Sequence, residues 1–235
     1  MFLRGCVLAI AAFGLTGCDG VTNTIADGLA NVGELTGIAE PQDVTSEGIR
    51  TLSVLRGDAL VRGPEGYCVD QGASNARRGF AVLVGCALLS DEVALMPSLD
   101  GLIIVQIGAQ ETASVTGNED AFAAFLETEA GRSVLASSGD VNAVQEVSTV
   151  TDTSAVLARF EDTSGPIFPD TSGPQWRGFL DVNGRLATIS VLSFDRDTLS
   201  RSEGERLLVV AMTELAEVNT AAVAEDDVTD AAENG

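Results

Sequence analysis

Histidine and lysine are both absent from this chain, and tryptophan and tyrosine occur once each, as Trp176 and Tyr67. Without imidazole, Ser-His-Asp and Cys-His catalysis and the usual zinc sites are excluded. Without an ε-amino group, a lysine base and Schiff-base chemistry are excluded too. Carboxylates, hydroxyls, Tyr67 and arginines are what remains for catalysis. A glycosidase-type mechanism would need two acids about 5 to 9 Å apart across a cleft, and none of the 35 acidic residues stands in a catalytic motif. Gly63-Pro64-Glu65-Gly66 is not a phosphate-binding loop, because it lacks the Lys-Ser/Thr ending and precedes a strand-like run. The sequence therefore assigns no catalytic residue, no metal and no cofactor.

Long apolar runs are also missing. Val7–Leu15 follows a single cation, Arg4, and is too short to cross a bilayer, so it reads as the core of an export signal. It leads into Leu15-Thr16-Gly17-Cys18, which resembles the bacterial lipoprotein box. That resemblance implies transfer of a diacylglyceryl group to the Cys18 thiol, cleavage just before it, and acylation of the new amino terminus. Two or three acyl chains hold a protein stably on a membrane where one is marginal. Residues 1–17 are thus expected to be a signal peptide, and the mature chain is expected to be a cell-envelope lipoprotein facing the periplasm. Asp19 resembles the inner-membrane retention signal of enteric bacteria, a rule that varies between bacterial groups, so the sequence leaves the choice of membrane open.

Positive charge is scarce. The net charge is -22, and loss of Arg4 with the signal makes it -22 - 1 = -23. Such a chain is repelled by nucleic acid and anionic headgroups. The expected partners are the membrane, through acyl chains on Cys18, and an envelope protein. Cysteine is scarce as well. With Cys6 lost in the signal and Cys18 lipidated, Cys68 and Cys86 remain as an expected disulfide in an oxidising compartment. The alternatives are two separate thiols or a redox centre, although the latter usually has Cys-x-x-Cys spacing.

Residues 18–48 read as a lipidated tether, 49–220 as one domain, and 221–235 as a disordered acidic tail with five acids and no base. Glu225, Asp226 and Asp227 lack the glycine and ligand spacing of a calcium loop. Within the domain, Ile49–Leu55, Ala59–Val61, Tyr67–Val69, Leu102–Ile107, Val141–Val150 and Ala155–Phe160 read as strands, and the unbroken Phe80–Leu89 reads as a buried central strand. A helix is expected from Asn118, with a break or bend at Gly131. The segment from Gly165 to Pro174 reads as an irregular loop. Trp176–Val182, Asn183-Gly184 and Arg185–Leu192 predict a two-residue hairpin. Ser202-x-x-Glu205 has capping-box spacing ahead of a closing helix, whose apolar stripe is Leu207, Leu208, Ala211, Met212, Leu215 and Val218.

These elements predict an α+β fold, an antiparallel sheet packed against helices. Their order, with the Asn183-Gly184 hairpin and final long helix, resembles the PsbP/DcrB-like sandwich, a family that includes bacterial envelope lipoproteins. That resemblance implies an accessory or scaffold role and carries no catalytic residues across. The leading functional expectation is therefore a non-enzymatic lipoprotein that binds a protein. The alternatives are a small-ligand or metal-binding lipoprotein and a carboxylate-dependent enzyme. Candidate contacts are Tyr67, Trp176, Arg177 and the acids of Glu161–Asp170 and Asp195–Asp197. A pocket with two converging carboxylates would favour catalysis, an apolar cavity beside Trp176 a ligand, and a shallow exposed apolar patch a partner surface.

Overall fold

The computed structural model describes residues 44–45, 48–90 and 96–233, with only the backbone path given for 44, 45, 48 and 222–233. The expected signal peptide, Cys18 and most of the tether lie outside the described residues. Strands β1 (Val44–Thr45) and β2 (Gly48–Ile49) form a short antiparallel pair, and so do β3 (Thr51–Val54) and β4 (Ala59–Arg62). The main sheet comprises β5 (Tyr67–Val69), β6 (Phe80–Gly85), β7 (Gly101–Ile107), β8 (Val144–Asp152), β9 (Ala155–Asp162), β10 (Thr171–Val182) and β11 (Arg185–Phe194). All its neighbours are antiparallel, in the order β5-β6-β7-β11-β10-β9-β8. Helices α1 (Glu119–Glu127), α2 (Glu129–Leu135) and α3 (Arg201–Glu233) complete the fold. No described helix is long and apolar enough to cross a membrane. The α+β architecture, with an antiparallel sheet against helices, is the one the sequence predicts.

The hairpin β10–β11 organises the core. Val182 pairs with Arg185 across Asn183 and Gly184, whose φ angles of 49° and 74° provide the left-handed turn that such a short loop requires. Alternation then sends Trp176, Leu180 and Val182, with Ala187, Ile189 and Val191, to one face. There they are buried against the stripe Leu207, Leu208, Ala211, Met212 and Leu215 of α3 and against Val54, Ala59 and Val61 of the β3–β4 hairpin. On the opposite face, Phe179, Val156, Ala158 and Phe160 pack on Ala123 and Leu126 of α1 and Leu135 of α2.

Asn219, on α3, fastens the β3–β4 hairpin to that helix. Its Oδ1 accepts from the Leu60 N–H at 2.9 Å and its Nδ2 donates to the Leu60 carbonyl at 2.8 Å, so both backbone groups of an edge residue are satisfied by one buried amide. At the other end of the sheet a Cys68–Cys86 disulfide, with Cα atoms 4.8 Å apart, ties β5 to the turn after β6.

Several elements depart from the sequence expectations. The Phe80–Leu89 run is a strand only as far as Gly85 and lies second from an edge. Cys86 turns away because its N–H bonds the Gly66 carbonyl, while Pro97 packs against both Gly66 and Gly85. The helix break falls at Thr128 rather than Gly131: Thr128 is extended and its hydroxyl accepts from the Gly131 N–H at 3.2 Å, opening α2. Residues 141–143 form a 3-10 turn before β8. Gly173 and Pro174 sit inside β10, where a register shift between Ser172 and Trp176 absorbs them. The capping box is Ser200 and Glu203, not Ser202 and Glu205, since Ser200 N–H donates to Glu203 at 2.9 Å and Glu203 N–H to the Ser200 hydroxyl at 3.4 Å. Burial of Leu199 in the core fixes that register. Finally, α3 continues to Glu233 through the segment expected to be disordered. The five alanines of that segment, residues 221, 222, 224, 231 and 232, favour helix continuation.

Candidate functional site

Register places one side-chain row across a single face of the sheet: Ser148 on β8, Arg159 on β9, Trp176 on β10, Val191 on β11, Ile103 on β7 and Leu83 on β6. The row is apolar where α3 and the β3–β4 hairpin cover it and becomes polar toward β8. There a groove opens between α3 and the last strand of the sheet. A cleft of about 30 Å³ at its floor is lined by Ser148, Val150, Leu157, Arg159, Trp176, Arg201, Glu205 and Leu208. That is far below the several hundred Å³ of a typical metabolite pocket.

Two features distinguish this groove. The outer edge of β8 pairs with no strand among the described residues, and Val150 on its rim is 51% exposed. The Trp176 indole Nε1 and the Arg159 Nε, on two residues that line the cleft, are donors sealed from solvent and without a hydrogen-bond partner among the described residues. A donor left in that state costs about 1–3 kcal/mol. Arg159 lies 3.9 Å from the largely exposed Glu146, and Arg201 Nη2 donates to the Ser148 hydroxyl at 3.3 Å. Glu146 itself occupies a bulge in β8, with φ 53°.

The candidate residues named from sequence do not converge. Trp176 lines the groove, but Arg177, its neighbour on β10, projects to the opposite face. There its Nη1 donates to the Val134 and Leu135 carbonyls at the end of α2, its Nε donates to the Ser190 hydroxyl, and its guanidinium lies 5.1 Å from the centre of the Phe160 ring. Burial pushes its pKa down to about 10, with Asp162 partly opposing, so it stays charged at neutral pH. Arg177 thus caps the negative end of a helix. Tyr67 is buried on β5, donating to the Leu99 carbonyl at 2.6 Å and accepting from the Gly101 N–H at 3.1 Å. Burial raises its pKa, and the hydroxyl holds the chain entering β7.

The acidic segments also hold loops. Asp162 accepts from the Ser137 and Ser164 N–H groups, and Arg196 stacks over Phe194 while pairing with Asp100. The side chains of Glu225, Asp226 and Asp227 lie outside the described set. Asp181, unremarked in the sequence, accepts from three successive backbone N–H groups, Ser114, Val115 and Thr116. Burial raises its pKa, but those donors together lower it further, leaving a net depression below the ordinary 3.8. A carboxylate so favoured stabilises the fold above its unfolded pKa, and that contribution disappears as pH falls through the folded one. Because Asp181 is partly open to solvent, which screens these contacts, Asp181→Asn is expected to lose no more than about 1 kcal/mol at pH 7. The gap between variant and parent in urea titrations should close below pH 3.8.

Arg159, Arg201 and Ser148 were not singled out from the sequence. Pairing the Ala155–Phe160 run with Trp176 would have placed Arg159 beside the indole, but the β8 bulge and the true start of α3 hide the other two.

No family model matches the chain, and no curated protein matches it. Among solved structures, the chain is similar to the Saccharomyces cerevisiae Ran-binding protein Mog1p. The two are 12% identical, over 71% of this chain and 92% of that one, with a TM-score of 0.40. A mutant of protein Mog1 is likewise 12% identical, over 71% of this chain and 88% of that one, with a TM-score of 0.37. At these values neither likeness extends to function.

Proposed function

We propose that this protein is a non-enzymatic, lipid-anchored accessory or scaffold protein of the bacterial envelope, held by acyl chains on Cys18, of PsbP/DcrB-like type. It binds an extended segment of a partner protein along the groove between β8 and α3. The observation that carries the docking reading is the edge of β8, unpaired among the described residues, beside a groove with an exposed apolar rim. An edge strand of this kind is a ready template for a partner's backbone. The lipoprotein box supports the anchor, and the absence of histidine and lysine supports a role without catalysis.

The test is a gentle affinity capture of the acylated full chain from its native envelope, with intact mass measured on the same sample, beside Val150→Asp. Position 150 is exposed, so the substitution should change stability by less than about 0.5 kcal/mol. A stoichiometric partner on the parent chain, reduced at least about tenfold on the variant, is the expected result; that ratio corresponds to about 1.4 kcal/mol. Equal recovery on both chains would remove the groove from the interface. A mass without acyl chains would refute the anchor.

A further inference from the structure

We infer that the floor of the groove is a carboxylate-binding site, and that the segment docking there inserts one glutamate or aspartate side chain into the cleft. This rests on the groove being the docking surface. Both unpartnered groups, the Trp176 indole Nε1–H and the Arg159 Nε–H, are donors on residues that line the cleft but are sealed from solvent, so an incoming acceptor satisfies them only as the side chains covering them move aside. They belong to directly paired positions of β9 and β10 and line the same cleft. Two guanidinium groups stand there, on Arg159 and Arg201, in a chain with only 13 basic residues. A carboxylate accepts from several N–H donors at once and matches a guanidinium edge.

The size of the cleft selects the source. About 30 Å³ admits one functional group and not a whole metabolite. The carboxylate therefore arrives on a longer segment whose remaining contacts lie along the groove. Two acids oppose it. Glu146 approaches Arg159 only to 3.9 Å and is mostly exposed, so an incoming carboxylate replaces it, whereas Glu205 repels from the cleft wall. Entry also requires Arg201 to leave the Ser148 hydroxyl, and that contact is an exposed one.

Trp176 is the only tryptophan, so the full chain in detergent solution has a single indole N–H resonance. The probes are acetyl-Val-Thr-Glu-Thr-Val-amide, its Gln counterpart, and sodium acetate. The expected result is a saturable downfield shift of that resonance with the Glu peptide, with at least about tenfold weaker binding for the Gln peptide and for Arg159→Gln. Glu205→Gln should bind the Glu peptide more tightly. An equal response to acetate would overturn the docked segment as the source of the carboxylate. No response to the Glu peptide at millimolar concentration would overturn the site itself. Arg159→Gln also separates the two readings: a partner lost from Val150→Asp but fully retained on Arg159→Gln leaves the groove standing and removes the carboxylate.

Discussion

Gly204→Ala is expected to lower stability by about 3 kcal/mol, the upper end of the usual cost of overpacking a core. Gly204 lies in the first turn of α3, directly over Trp176, and an added methyl would overlap the fused carbons of the indole. The indole is 3% exposed, flanked by Leu208 and the sheet, so it has little room to retreat. The helix must lift instead, which would thin the contact between α3 and β10. Urea unfolding followed by the fluorescence of the sole tryptophan measures both effects, because the emission of the native variant should shift to the red. A loss below about 1 kcal/mol with unchanged emission would mean that the helix does not rest on the indole as described.

Removing the disulfide should have a comparable effect. In the double variant Cys68→Ala/Cys86→Ala, the unfolded chain regains the freedom of an 18-residue loop, a change of about 3 kcal/mol. The loss should concentrate at the β5 end of the sheet, where β5 is only three residues long and has few hydrogen bonds of its own. Urea titration of the parent with and without a thiol reductant should reproduce the difference, and the double variant should be insensitive to the reductant. Equal midpoints for oxidised and reduced parent would show that Asp70, which accepts from the Gly72 and Ala73 N–H groups, and the neighbouring turn hold this corner unaided.

Much of the fold was legible because local chemistry and tertiary packing agree. The Asn183-Gly184 hairpin, the stripe of α3 and the pairing of Cys68 with Cys86 each follow from signals within a few residues or from a process of elimination. The misreadings share a cause in contacts from outside the segment. Phe80–Leu89 is continuous in hydropathy, yet Gly66 and Pro97 end its strand. Gly131 resembles a breaker, but Thr128 supplies the cap and Gly131 marks close approach to the preceding helix. The helix start shifted by two residues because burial of Leu199 chose between two serine-glutamate pairs. The groove was only half legible. Trp176 stood out by rarity, whereas Arg159 becomes notable only when register sets it beside the indole. Asp181 carries no sequence signal at all, since its three donors lie 65 to 67 residues away.

The clasp of Asn219 on Leu60 has a consequence for the order in which the molecule is assembled. The two residues are 159 positions apart, so the hairpin made early in synthesis acquires its last two backbone partners only when the final helix has emerged. Contacts this distant slow folding and leave an early strand edge open in the meantime. Chains truncated within α3 before residue 219 would keep the sheet but leave the β3–β4 edge uncovered. They should become preferred substrates for proteases and chaperones, and the clasp thereby makes emergence of α3 a condition for closing the β3–β4 edge.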